Sequence, residues 1–221
     1  MENVQLKTIE QEAKAEVQDF LDKFVDVIDE ENSLEADKKS AFLDKAIANF
    51  DTYRDRIASA MEILKEDPIT ETLLSRHKIH EDIFTKITDN GQQQYDIGFN
   101  DDEMMAFYEC ASRHYDEKNF SKAADVFLLL TTLHNTIQGF WYALGLSEEA
   151  LEEYPSAVMA YMMAIEYDED LSPLICCARC MAKMGNTHEA MTVLTLAIEE
   201  AQERGNATAF IKEATTFKNS L

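Results

Sequence analysis

One stretch, Phe140 to Tyr167, FWYALGLSEEALEEYPSAVMAYMMAIEY, constrains what the whole chain can fold into. Its apolar residues recur at helical spacing on either side of a short acidic break, so it reads as two amphipathic helices joined by a tight turn. Trp141 and Leu144 are three residues apart and share one face of the first helix. Gly145 and Ala157 carry almost no side chain, which lets the two helices approach closely where they cross. Tyr161 and Ala164 close the second helix against its neighbours. A hairpin of this kind cannot bury both its faces alone, so one copy implies more copies.

The further copies are present. Trp141, Leu144, Gly145, Ala157, Tyr161 and Ala164 fall at the spacing of the tetratricopeptide signature, W-x2-L-G followed by A-x3-F-x2-A. A shift of 34 residues upstream sets Phe107 under Trp141, Ala111 under Gly145, Ala123 under Ala157 and Phe127 under Tyr161. A shift of 33 downstream gives Leu174, Cys177, Ala178, Ala190, Leu194 and Ala197 the same roles. Three repeats, about 104–137, 138–170 and 171–204, are the number such a stack needs to be stable. A terminal helix from Ala207 to Lys218 is expected to cap the last one. The expected fold class is an all-α helical hairpin (tetratricopeptide) repeat solenoid occupying 96–221, behind an N-terminal helical extension over 1–95.

That extension holds no glycine before Gly91 and, up to that point, a single proline, Pro68, which favours long helices. The spacing predicts one over 1–31, with Ile9, Ala13, Val17, Phe20, Phe24 and Ile28 on its apolar stripe. A second runs over 34–65, opened by Asn32 with Glu35 as a capping pair and carrying Phe42, Ala46, Phe50, Tyr53, Ile57, Met61 and Leu64. Asp67-Pro68 ends it, because the residue before proline is pushed out of helical geometry. A third is expected over 70–88, burying Leu73, Leu74, Ile83, Phe84 and Ile87. The first two stripes can zip together within one chain or pair with another chain. Asp89 to Asp102, DNGQQQYDIGFNDD, is the expected boundary before the repeats.

Charge narrows the function. A formal net charge of −23 repels phosphate backbones and anionic lipid, so the reading is no nucleic acid and no membrane insertion; basic or amphipathic partners suit such a surface. No segment is apolar for long enough to span a bilayer. The N-terminal MENVQLKTIEQEAKAEV lacks a basic region followed by an apolar one, so no signal peptide is expected. Cys110, Cys176, Cys177 and Cys180 then read as reduced thiols in a cytoplasm.

Chemistry is sparse. Cys176-Cys177-x-x-Cys180 lies on one helix, and Cys176 points about 100° away from Cys177, so the three do not converge on one ion. Buried structural cysteine is the expectation, with no metal and no cofactor. His77 and His80 share a helix face without an obvious third ligand. No phosphate loop or nucleophile elbow is present, and the chain is not expected to be an enzyme. What remains is a binding surface. Stacked hairpins leave a concave groove lined by the first helix of each repeat. Its open positions are Met105, Tyr108, Ser112 and Tyr115 in the first copy, Tyr142 and Leu146 in the second, and Ile175 in the third. That groove suits an extended peptide with hydrophobic side chains. It lacks the lysine and asparagine that a clamp for acidic C-termini needs.

These residues also carry a family resemblance. Phe140-Trp-Tyr-Ala-Leu-Gly145, followed by Tyr154 and Ala157, resembles the central repeat of the class II type III secretion chaperones. Tyr115 with Phe120, Ala123, Val126 and Phe127 looks like that family's first repeat. Ala178-Arg-Cys180, Lys183-Met-Gly185 and Glu189-Ala190 are similar to its third. The resemblance covers about 95–204. It implies a cytoplasmic bacterial chaperone that holds a secreted translocator or gatekeeper protein soluble, gripping a short extended segment in the groove. Position by position, Tyr108 matches a family groove tyrosine, Phe120 falls on another aromatic position of that surface, and Tyr142 replaces a leucine. Family members often dimerise through N-terminal helices, so the resemblance also implies a homodimer formed that way. Two departures stand out. The extension of about 95 residues is much longer than the family's leading helix, and Arg179 stands where the family usually has an acid. The alternative is a generic tetratricopeptide scaffold assembling a complex through its 1–88 helices.

Overall fold

The computed structural model describes residues 52–77, 93–167, 170–205 and 208–221. By its internal contacts the chain divides into two units, 1–58 and 59–221. The helix expected over 1–31, the Asn32–Glu35 cap, the start of the 34–65 helix and residues 78–92 lie outside the described residues. The described residues form helices and no strands. In chain order these are α1, described over 52–66, α2 (Pro68–Arg76), α3 (Gln93–Ile97), α4 (Asp101–Asp116), α5 (Phe120–Leu133), α6 (Gln138–Ala150), α7 (Tyr154–Tyr167), α8 (Ser172–Lys183), α9 (Thr187–Arg204) and α10 (Thr208–Lys218).

Asp67 and Pro68 do more than stop α1; they start α2. The Asp67 carboxylate accepts from the Ile69 and Thr70 N–H groups at 3.0 and 3.1 Å, while Pro68 occupies the first turn, where its missing N–H is not needed. Thr70 Oγ1 donates back to the Leu64 carbonyl at 2.5 Å, and Arg113 of α4 bonds the other Asp67 oxygen. Before α4, Asn100 and Glu103 form a reciprocal capping box, each side chain accepting the other's backbone N–H at 3.0 Å. The second Glu103 oxygen meets His77 Nε2 at 2.7 Å, and the His77 ring packs edge-on against Phe99. His77 is therefore held within the fold. The capping box escaped the sequence reading, because Asn100 falls inside the run read as the boundary before the repeats.

From α4 onward each helix packs against the next as far as α10. The repeat is visible in the backbone itself. Lys118, Glu152 and Gly185, related by the same 34- and 33-residue shifts, all have positive φ, at 64°, 63° and 84°. At each of the three turns the next N–H reaches back to close the preceding helix, from Asn119 to His114, Glu153 to Glu148 and Asn186 to Met181, at 2.8, 3.0 and 3.0 Å. Matching turns at nearly equal intervals close the three hairpins in a similar way.

The small residues lie where the helices cross. Ala111, Ala123, Ala157, Ala178 and Ala190 are fully buried, as are Phe107 and Tyr161, with Phe127 and Leu144 nearly so. Trp141 is not: it stays partly exposed, and its indole N–H donates to the Asn135 carbonyl at 2.6 Å, fastening the loop before α6. At the far end, Phe210, Ala214 and Phe217 of α10 pack into one cluster with Ile175, Ala178, Ala190 and Leu194.

A close crossing is that of α6 and α7. A Cβ added at Gly145 would sit 2.6 Å from two carbons of the Tyr161 ring, which has no room to withdraw. On an isolated helix Gly→Ala is stabilising by roughly 0.5–1 kcal/mol. Here overpacking, typically about 1–3 kcal/mol, exceeds that gain. Gly145→Ala should lower the thermal midpoint measured by circular dichroism, whereas Gly139→Ala, where a Cβ meets nothing within 4 Å, should not.

Candidate functional site

The expected groove residues fall on α4, α6 and α8, the first helices of the three hairpins, together with Phe120 at the start of α5. Met105 on α4 is 55% exposed. Tyr108, one turn on, is partly buried, its ring centroid 5.4 Å from Phe127 of α5 and 6.0 Å from Phe140 of α6. It ties three helices together and still shows an edge to solvent. Ser112 turns its hydroxyl to the Tyr108 carbonyl at 2.9 Å, and the Tyr115 ring lies 5.2 Å from Phe120, a pair that braces the α4–α5 turn.

On α6, Tyr142 and Leu146 lean on the buried cluster of Ala157, Tyr161, Cys176, Cys177 and Cys180. The Tyr142 ring is 5.8 Å from Tyr161, and its hydroxyl lies 3.8 Å from Cys176 Sγ. Burial, with the neighbouring Cys176, pushes this phenol up to about 12. Ile175 is a correction. It is 7% exposed and belongs to the cluster shared with Ala190, Leu194 and Ala214. The 33-residue shift places it under Tyr142, but α9 and α10 pack over the cluster in which it sits, so it is core.

The stripe on α6 ends on a group that the sequence reading did not use. Glu149 accepts from Arg179 Nε at 2.5 Å and Nη2 at 2.7 Å, and from the Tyr161 hydroxyl at 2.8 Å. One carboxylate thus joins α6, α7 and α8. Burial alone would raise the Glu149 carboxyl, but the bonds from Arg179 and Tyr161 outweigh it and hold it below the ordinary glutamate range. Burial and the Glu149 bond raise the Tyr161 phenol. Arg179 stands where the 33-residue shift places Leu146, which puts it on the same stripe. That shift was the available signal, and the pair was missed because charged residues were not carried through it.

The cysteines are enclosed. Cys110, Cys176, Cys177 and Cys180 are all free and buried. Burial pushes the Cys177 thiol up to about 11; burial and the Glu149 charge push Cys180 up to about 12. Both therefore stay protonated and unreactive near neutrality. Among the described residues no group of three or more His, Cys, Asp and Glu side chains is placed to hold a metal ion, and no helix is long and apolar enough to cross a membrane.

No family model and no curated protein sequence matches the chain. Solved structures do. A chain of the CopN–Scc3 complex superposes with a TM-score of 0.57 at 20% identity, over 72% of this chain and 98% of that one. A chain of a T3SS complex from Aeromonas hydrophila gives 0.53 at 17% identity, over 70% and 95%. PcrH bound to the chaperone-binding region of PopD gives 0.51 at 18% identity, over 56% and 93%. This chain has their fold. It is an all-α helical fold, and the superposition spans nearly the whole of those chains.

The Glu149 contacts make an acid sensitivity testable. A carboxyl lowered on folding contributes stability above its unfolded value, here the ordinary 4.5, and that contribution is lost as pH falls through the lower folded value. Glu149→Gln should be less stable than the wild type at neutral pH, by about 1–3 kcal/mol. The difference should narrow on acidification below about pH 4.5. Urea unfolding across that range is the measurement. Asp67 and Glu103, also lowered by their hydrogen bonds despite burial, will leave some acid dependence in the variant.

Proposed function

We propose that this chain is a cytoplasmic chaperone of a bacterial type III secretion system. It binds a secreted translocator or gatekeeper protein through the first helices of a repeat domain over 96–221 and keeps it soluble for export. The observation that carries this reading is a row of exposed methionine and partly buried tyrosine, Met105, Tyr108 and Tyr142, on the first helices of hairpins whose fold is that of the solved type III secretion complexes. Such chaperones have been solved holding segments of PopD, PopB and YopD. The mechanism needs no catalytic step: apolar side chains of the client leave water against the row, and an acidic exterior of net charge −23 keeps the complex dispersed.

Tyr108 and Tyr142 are poor probes of this surface, since both also brace the stack. Met105 is the better one. Burying a side chain of its size contributes about 1.5–3 kcal/mol, so Met105→Glu should weaken the client roughly ten- to hundredfold while leaving the thermal midpoint unchanged. The client itself is found by affinity purification from the native cytoplasm with mass spectrometry. A secreted translocator or gatekeeper at equal stoichiometry, lost with Met105→Glu, is the expected result. Recovery of cytoplasmic structural proteins alone, unaffected by Met105→Glu, would overturn the chaperone reading in favour of a scaffold.

A further inference from the structure

The surface proposed above as a groove is chemically divided, and its second part is polar. Tyr142, Leu146 and Glu149 follow one another along α6, and Arg179 of α8 reaches Glu149 from the neighbouring hairpin. The Arg179 side chain is 40% exposed, against 18% for Glu149. Its two bonds to the carboxylate leave from Nε and Nη2, the side edge of the guanidinium. A guanidinium carries five N–H donors, so its end edge, Nη1 with the second Nη2 hydrogen, is not committed to that carboxylate. The side chain is thereby fixed in one orientation, and little entropy remains to be lost when a further acceptor arrives.

The charge around it selects the acceptor. Glu149 already balances Arg179, and Asp170 adds a negative field nearby, close enough to act on Tyr142. A carboxylate on the ligand would meet that field, whereas a neutral carbonyl would not. An extended peptide lying along Tyr142 and Leu146 presents a main-chain carbonyl at every residue, whatever its sequence. We propose that Arg179, oriented by Glu149, donates to a main-chain carbonyl of the segment held in the groove. Side chains of the segment are read at Met105, Tyr108 and Tyr142, and its backbone is pinned at α8. This rests on the groove reading above. It also gives a role to an arginine that departs from the resembled family, where an acid is usual.

The test uses the full chain and a defined probe. A phage library of random dodecapeptides is panned on the wild-type protein, and the most enriched peptide is synthesised, together with versions carrying one amide-to-ester replacement at each position. Each ester weakens one carbonyl acceptor. Binding is measured by fluorescence anisotropy to the wild type, Arg179→Gln, the paired Glu149→Gln/Arg179→Gln and Met105→Glu. The paired variant removes both charges, so an uncompensated carboxylate does not confuse the result. Arg179→Gln and the paired variant should each weaken the peptide roughly tenfold. One ester position should cost affinity on the wild type and nothing on either Arg179 variant, the non-additivity expected of groups in direct contact. If the ester costs are equal on all proteins, or the Arg179 variants bind as the wild type while Met105→Glu does not, the Arg179 proposal is overturned and the groove stands. If Met105→Glu binds normally, or no peptide enriches, the groove reading fails and the Arg179 proposal falls with it.

Discussion

The stack depends on how closely α6 and α7 can cross. Gly145 offers Tyr161 a surface without a Cβ, and the ring lies 2.6 Å from where that Cβ would be. The approach brings the phenol hydroxyl to Glu149, and Glu149 in turn fixes Arg179 on the next hairpin. One missing methyl group thus positions a carboxylate shared by three helices. Side chains at crossings set the spacing of helices, so a change at this point would be transmitted to the neighbouring hairpins.

The row formed by Met105, Tyr108 and Tyr142 is neither plain core nor plain solvent face. Tyr108 and Tyr142 each spend part of their area on packing: Tyr108 against Phe127 and Phe140, Tyr142 against Tyr161 and towards Cys176. A side chain held on two sides keeps its rotamer when the third side is exposed, so the row is ordered before anything binds. Such preorganisation would lower the entropic cost of holding the flexible segment proposed above. Met105, more than half exposed, is the adaptable member of the row.

Acidity has two distinct roles. Most of the 43 Asp and Glu residues give the chain its negative field, a property of composition that bears on partners and solubility but not on the fold. A few are structural. Asp67 starts a helix and meets Arg113, Glu103 closes a capping box and meets His77, and Glu149 joins three helices. Nothing in the one-letter code sets Glu149 apart from the first group, whereas Asn100 and Glu103 stand at capping-box spacing and Asp67 precedes a proline. Each is distinguished by a partner that lies distant in sequence or by a turn geometry.

The sequence by itself determined the repeat. Phe107, Ala111, Ala123, Phe127, Leu144, Gly145, Ala157, Tyr161, Ala178 and Ala190 recur in phase because close helix crossings admit only small residues at some positions and large ones at others, and that requirement is local enough to be written in spacing. Even the positive-φ turns at Lys118, Glu152 and Gly185 obey it, though only the last announces itself as a glycine. Tertiary structure decided what the phase alone could not. Ile175 occupies a groove position by count, but it is buried in the cluster beneath α9 and α10. Trp141, read as packing, is partly exposed and fastens a loop through its indole N–H. Arg179 pairs with Glu149 because two turns of two different helices face each other. Periodicity states which face of a helix a residue occupies; what stands opposite that face depends on the stacking of whole hairpins, and only the folded chain supplies it.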